Sequence, residues 1–526
     1  MTIKQYHRFF NTTGPCNPNR HYMLPPEKRL KGAQLHRYIR DELYWVLHAP
    51  RQVGKTTFLQ SWMSKINNDG EAIACYISVE TCRNVPEPER SMPVICAAIR
   101  KHAAQLKLPV PELPQSPPMY MLNDILCNWS ELIAPKPLIV LFDEVDVLID
   151  GTILSFLSQL REGFAGRGIG KFPVSIVLVG MRDLKDYITA SKDGIEPNPG
   201  SPFNIKEDSV ELTNFQKTDI VELFEQRTSE SGQQITPEAL DYVYEQSKGQ
   251  PWIVNSLFKR ATMQIMDFES IEKVELKHVV EARRQMIIAR ETHLDALAVR
   301  LKEKRIRSVI EPILTGESDP DLAESDAFRL CLDLGLVALD DEIPVIANPI
   351  YREVIARHLT YGQQLAIPKP DWQWENPDES LDMNRMMREF QIFWRRHADL
   401  WESKSKAKSG YTEAFPHLLL MAFLQRVLNG GGHIERDCAA GRGRMDLGIE
   451  YNGYHYIIEI KMIRNYNSPQ TVREEGLKQI RRYRDSFAPN APAYLVLFDR
   501  RAKTKKRSWD ERITWEQDGD VTILGC

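Results

Sequence analysis

From about Asn11 to Thr213, short apolar runs alternate with stretches of helical periodicity. Tyr44-Trp45-Val46-Leu47 is a strand that runs straight into a glycine-lysine turn, and Phe58 to Ile66 follows as a helix. Ala72 to Ser78, Leu138 to Phe142 and Ser175 to Gly180 are further apolar runs of strand length. The proline-rich Pro109 to Pro118 marks a loop between them. Strands and helices in alternation predict an α/β fold, a parallel sheet covered on both faces.

The pattern then changes. Residues 214–286 turn helical, with a helix start at Thr236-Pro237-Glu238 and a break at Lys248-Gly249-Gln250-Pro251. Short helices follow, then Leu336 to Leu339, a turn at Asp340 to Glu342, and Ile343 to Ile346. Helices ahead of a small hairpin suggest a winged helix. Ile367 to Glu379 is rich in proline and acid, as a linker is, and a helix from about Leu381 to Trp401 opens the last region. Lys404, Lys406 and Lys408 follow in a polar stretch. Near the end, Leu447 to Tyr451, the turn Asn452-Gly453 and Tyr454 to Lys461 read as a β-hairpin. The divisions expected are 1–213, 214–290, 291–362, a linker at 363–380, and 381–526.

Composition bounds this picture. A chain of 526 residues exceeds what one hydrophobic core serves, and 42% hydrophobic with 27% charged residues fits folded, water-facing domains. The net charge of -4 conceals a basic C-terminal region: Arg481, Arg482 and Arg484, then Arg500, Arg501, Lys503, Lys505, Lys506 and Arg507. It therefore does not exclude a nucleic-acid partner. The 8 cysteines form no Cys-x-x-Cys pair, which argues against zinc and for reduced thiols in a cytosol. No apolar run reaches membrane-spanning length and the N-terminus lacks a leader's apolar region, so the expectation is a cytoplasmic protein without a membrane partner.

Ala49-Pro50-Arg51-Gln52-Val53-Gly54-Lys55-Thr56-Thr57 carries the first candidate chemistry. It follows G-x-x-x-x-G-K-[ST], with Ala49 in place of the first glycine. Gly54 lets backbone N–H groups approach phosphate oxygens, and Lys55 supplies a charge to the β- and γ-phosphates. Thr56 offers Mg²⁺ a hydroxyl, and the helix behind presents its positive end. Leu138 to Phe142 ends in Asp143-Glu144. Asp143 would hold Mg²⁺ and Glu144 would polarise the attacking water. ATP with Mg²⁺ is the ligand this pairing implies.

Phe10 to Cys16, His21-Tyr22-Met23-Leu24-Pro25-Pro26 and Tyr44 to Thr57 resemble the opening of ATPases of the AAA+/STAND group. The resemblance implies that Tyr22 flanks the adenine and that Arg182, in Gly180-Met181-Arg182-Asp183, is a sensor near the γ-phosphate. It makes Gly249-Gln250-Pro251 the turn of a helical lid, 214–290, on a P-loop ATPase core, 1–213. A winged helix at 291–362 also fits this group.

The second candidate chemistry is Asp446 with Glu459-Ile460-Lys461. Alternation puts Glu459 and Lys461 on one face of the return strand, and the hairpin brings Asp446 near them. Adjacent carboxylates repel unless a cation joins them, so Mg²⁺ or Mn²⁺ on Asp446 and Glu459 is the natural occupant. Lys461 would orient the attacking water.

These residues resemble the PD-(D/E)xK nuclease superfamily, although Met445 stands where a proline usually precedes the aspartate. Gly441 to Asp446 resembles one bacterial branch often fused to this kind of ATPase. The resemblance implies that Glu413, opening the helix Ala414 to Leu428, adds a metal contact. It also implies that Gln479 and Tyr483, one helical turn apart, face the DNA backbone and active site.

The expectation is an ATP-controlled, metal-dependent DNA nuclease, set by resemblance in bacterial defence against foreign DNA. Two competing classes stand beside it: a DNA-binding regulator with an inert nuclease fold, and a scaffold that ATP assembles into a homo-oligomer.

Overall fold

The computed structural model describes residues 8–526 except 168–171, 182–205, 268, 290–293, 295–298, 316–319, 367–373, 405–415, 417–418, 422, 425–432, 441–442, 465–467, 500 and 502–507. By internal contacts the chain forms two units. The first holds Met1–Glu291, Phe328–Asp341 and Ala347–Ile350; the second holds Thr292–Ala327, Glu342–Ile346 and Tyr351–Cys526.

The first unit is built on five strands: β1 Tyr44–His48, β2 Ile73–Ser78, β3 Leu138–Asp143, β4 Ser175–Gly180 and β5 Lys206–Glu211. They lie in the order β2-β3-β4-β1-β5, and every neighbouring pair is parallel. All six residues of β3 and all six of β4 are buried, as strands covered on both faces require. Alternate residues serve opposite cores. Val46, Cys75, Val140, Phe142 and Ile176 pack with Met92, Leu122 and Trp129. Trp45, Leu47, Ile139, Leu141 and Val177 pack with Phe58, Leu59 and Trp62 on the other side.

The helix after β1 spans Lys55–Asp69, starting earlier and ending later than its apolar stripe. Gly54 caps it with φ 109° and Gln52 has φ 58°. Only a turn of that kind aims successive N–H groups at one point. Past β5, helices Lys217–Ser231, Pro237–Ser247, Pro251–Arg260 and Leu276–Ile288 form the expected helical region. Gly249 sits between two of them at φ 75°, and a Cβ there would lie 1.9 Å from the carbonyl oxygen of Phe215. Strands β6, Val337–Asp340, and β7, Ile343–Ile346, flank the expected Asp341–Glu342 turn.

The second unit contains a six-stranded sheet: β8 His433–Ala440, β9 Gly443–Tyr451, β10 Tyr454–Ile463, β11 Ala493–Asp499, β12 Thr514–Asp518 and β13 Val521–Gly525. The order is β12-β13-β11-β10-β9-β8. β10 is antiparallel to β9 and parallel to β11, so the sheet is mixed. Even-numbered Tyr456, Ile458 and Ile460 pack against Met386, Phe390 and Trp394 of the helix Met383–Lys404. Ile457 packs on the other face with Leu477, Ile480 and Tyr483 of the helix Pro469–Phe487.

Candidate active sites

At the carboxyl edge of the first sheet, β4 separates β1 from β3, which leaves a crevice between the phosphate-loop turn and the Asp143-Glu144 acids. Thr56 Oγ1 donates to Asp143 Oδ2 at 2.7 Å, closing the distance between two motifs 87 residues apart. Tyr76 OH, on β2, donates to the same oxygen at 3.1 Å. Lys55 Nζ donates to the carbonyls of Ala49 at 2.7 Å and Pro50 at 2.9 Å, and burial pulls its ammonium down to about 8. A nearby anion opposes that shift and keeps the charge.

Glu144 has φ 61°, a left-handed conformation that turns its side chain out of the strand line. Ser78 Oγ donates to Glu144 Oε2 at 3.0 Å. Burial first, and then the neighbouring carboxylate of Glu80, push the Glu144 carboxyl up to about 7. Glu80 is held by Arg83 through a fork of 2.7 and 2.6 Å, and that pairing keeps Glu80 below the ordinary carboxylate range. Two acids with divided titration and one cation thus sit together on the wall of the cavity that the phosphate-loop turn also lines.

A cavity of about 450 Å³ runs from this edge past the turn. Arg51 to Thr57, Asp143, Glu144, Tyr22, Phe215 and Trp252 are among its lining residues. Tyr22 is buried against Phe10, with ring centroids 4.9 Å apart. Arg182 lies outside the described residues, whereas Met181 beside it lines the cavity.

Several contributors carry no motif. Arg29 is 7% exposed, donates through one nitrogen to Val53 O and Thr213 O, each at 2.9 Å, and stacks on Phe215. Another of its nitrogens stands 2.9 Å from where a Cβ on Gly54 would be. Among the described residues its partners are carbonyls and a ring, and burial lowers it to about 10. The nearby charge of Asp219 opposes that lowering without forming an ion pair among the described residues, so a buried guanidinium beside the phosphate loop has capacity left for an anion. Tyr76, Ser78, Glu80 and Arg83 were equally silent in sequence. Gly335 packs its bare Cα on the loop itself: a Cβ there would lie 2.7 Å from Pro50 Cβ.

In the second unit, β9 and β10 pair from Tyr454–Tyr451 to Ile458–Leu447. Asp446 precedes Leu447 and Glu459 follows Ile458, so both acid positions adjoin the last pair of that register. Asp446 lies within β9 rather than at its start. Its side chain, and all of Glu413, lie outside the described residues. Glu459 is 1% exposed, and Lys461 Nζ stands 2.8 Å from its Oε1. A carboxylate so buried needs that cation.

The helix Pro469–Phe487 covers the Glu459 and Lys461 face. Gly476 permits the approach, because a Cβ there would lie 2.6 Å from Leu495 Cδ1 and 3.3 Å from Lys461 Cγ. Gln479 and Tyr483 follow on the same helix. Tyr483 is buried in the core beneath the sheet, and Gln479 Oε1 is buried with no hydrogen-bond partner among the described residues.

A parallel sheet in this order, with a Gly-Lys-Thr turn after β1 and an acid pair after β3, defines a P-loop ATPase-like domain. A family model described as an AAA-like domain matches residues 35–357, and the chain belongs to that family. A second model, the PD-(D/E)XK nuclease superfamily, matches residues 411–493. The chain is therefore an ATPase-like domain fused to a nuclease-fold domain.

Among solved structures, the chain is similar to the Walker-type ATPase of Pyrococcus abyssi at 15% identity and a TM-score of 0.46, covering 66% of this chain and 99% of that one. It is similar to the RuvB Holliday junction branch migration motor of Thermotoga maritima at 15% identity and 0.34, over 59% and 88%. It is also similar to Cdc6p from Pyrobaculum aerophilum at 14% and 0.36, over 62% and 91%. No curated protein matches the chain. Among the described residues no helix is long and apolar enough to cross a membrane.

Proposed function

We propose that the chain is an ATP-binding and ATP-hydrolysing switch that controls a Mg²⁺-dependent DNA nuclease. The observation that carries the reading is the meeting of Thr56 and Asp143 beside Lys55. A hydroxyl and a carboxylate are the hard oxygen donors that suit Mg²⁺, so the residues fit the ion. Bound there, Mg²⁺ would neutralise charge on the phosphates. Lys55 and the N–H groups of the turn hold the β- and γ-phosphates, and Arg29 adds its charge from the Gly54 side. Glu144, as carboxylate, takes the proton of the attacking water.

In the nuclease domain, Asp446 and Glu459 would hold Mg²⁺ or Mn²⁺, which supplies Lewis-acid charge to a phosphodiester. Lys461 orients the attacking water, and Gln479 offers a buried acceptor on the same face. Two contacts support a switch. Gly335 rests on Pro50 of the phosphate loop, and Arg29 ties Val53 of that loop to Thr213, two residues before the Phe215–Gly249 contact of the lid. Defence against foreign DNA is the setting suggested by the resemblance of the Gly441 to Asp446 segment. The free thiols among the described cysteines support a reducing, cytoplasmic location.

The test uses the full chain with plasmid, linear DNA and RNA in Mg²⁺, with ATP, a non-hydrolysable analogue or neither. DNA is cut, and the nucleotide changes the rate. Asp446→Ala abolishes cutting and keeps ATP binding, whereas Lys55→Ala weakens ATP binding. Cleavage by Asp446→Ala at the parent rate sinks the nuclease assignment. Binding of DNA without cutting, or assembly with ATP alone, returns the regulator or the homo-oligomeric scaffold.

A further inference from the structure

The cavity beside the phosphate loop changes character away from the acids. Leu24, Phe215, Leu223 and Trp252 give it an apolar and aromatic wall, suited to a flat base. Buried polar side chains interrupt that wall, and Asn255 is one of them. Asn255 lies one turn into the Pro251–Arg260 helix, is 7% exposed, and lines the cavity.

Its amide has a defined orientation. Nδ2 donates to Pro251 O at 2.8 Å, which a carbonyl oxygen in that place would not do, so Oδ1 occupies the other position. Oδ1 is shielded from solvent and has no hydrogen-bond partner among the described residues. A buried acceptor left without a donor costs free energy, which a donor on a bound ligand would recover.

The segment that carries it is fixed. Gln250 Oε1 accepts from Ile253 N at 2.7 Å. Trp252 Nε1 donates to Thr12 O at 2.9 Å, and Lys259 Nζ donates to Thr12 Oγ1 at 3.1 Å. The acceptor is thus held before any ligand arrives.

We propose that Asn255 Oδ1 accepts the exocyclic amino group of adenine, so that the lid helix selects ATP over 6-oxo purine nucleotides. The phosphate loop meets only phosphates and cannot tell bases apart. At purine position 6, adenine presents a donor, whereas guanine and hypoxanthine present a carbonyl that would face Oδ1 acceptor to acceptor. The proposal rests on the ATP site described above.

The test measures dissociation constants of the full chain for ATP, inosine triphosphate, purine riboside triphosphate and 2′-deoxy-ATP, with Asn255→Leu alongside. The parent protein prefers ATP over inosine triphosphate by about tenfold to a hundredfold, the range of one buried hydrogen bond. Purine riboside triphosphate, which lacks the amino group, binds between them. Asn255→Leu brings the ATP and inosine triphosphate constants within about threefold of each other, mainly by weakening ATP.

An ATP preference retained by Asn255→Leu overturns the proposal. So does an Asn255→Leu variant whose change falls on the ATP to 2′-deoxy-ATP ratio, since the donor would then be a ribose hydroxyl. If Asn255→Leu does not fold, the parent series alone decides: equal binding of ATP and inosine triphosphate refutes the assignment. A parent protein that binds none of the four nucleotides refutes the ATP site itself, a separate result.

Discussion

Replacing Arg29 with methionine separates what the phosphate loop needs for stability from what it needs for its ligand. Burial lowers the Arg29 guanidinium from its ordinary value to about 10. A basic group with a depressed folded value is a cost at neutral pH, relieved only as pH rises through about 10. At 1.36 kcal/mol per unit, that cost is about 3 kcal/mol, undiminished by solvent because only 7% of the residue is exposed. Methionine removes it, but also strips donors from Val53 O and Thr213 O. Each carbonyl left unsatisfied costs about 1–3 kcal/mol, so the two effects nearly cancel. The melting temperature of ligand-free Arg29→Met should therefore stay within a few degrees of the parent.

Nucleotide affinity behaves differently. A phosphate about 4 Å from the guanidinium gains about 4 kcal/mol at the effective dielectric of a protein edge. Losing most of that raises the dissociation constant for ADP and ATP by about thirty- to a thousandfold. Adenosine, which lacks phosphate, should bind both proteins alike. Calorimetric titration of the three ligands into both proteins reads this directly. ADP and ATP constants unchanged within about threefold would refute an anion role for Arg29, and an equal loss for adenosine would show that the pocket had collapsed.

Glu144→Gln should abolish ATP hydrolysis while raising the melting temperature of the ligand-free protein. A carboxyl raised to about 7 loses stability as pH climbs from about 4.5 through 7, so glutamine stabilises at pH 8, by about 2 kcal/mol after allowing for partial exposure, and gains nothing near pH 4. Melting curves at both pH values check the sign, and a variant less stable than the parent at pH 8 contradicts it. Gly249→Ala should destabilise the first unit by about 3 kcal/mol or more, seen as a lower denaturant midpoint, because its Cβ meets backbone that cannot yield. An unchanged midpoint would dispute that packing. Lys461→Met should eliminate Mg²⁺-dependent cleavage and lower stability by about 1–3 kcal/mol, since Glu459 loses the ammonium 2.8 Å away. Cleavage at the parent rate would remove Lys461 from the site.

Much of the frame was legible because period and punctuation are local properties. Leu138 to Phe142 reads as a covered strand without knowledge of its neighbours, and all of β3 is buried. Asn452-Gly453 reads as a hairpin turn because both positions need positive φ, and they have 48° and 83°. Gly54 and Lys55 are legible for the same reason: the groups they serve lie within one turn. The strand order was not legible, since β4 between β1 and β3 is a matter of long-range pairing.

Arg29 marks the other limit. Its two carbonyl partners lie 24 and 184 residues further along, so no local window contains its role. Glu80 and Arg83 likewise matter only because β2 and β3 end side by side. Asn255 falls between these cases. Every residue from Pro251 to Phe258 is buried. A run of that kind tolerates a polar amide only if both of its ends find use, and Pro251 O occupies one of them. The amide inside an apolar helix was therefore a readable signal, and a stronger one than the charge of Lys248 or Arg260 at the helix ends. A buried amide has few ways to be satisfied, whereas an exposed charge needs no partner at all.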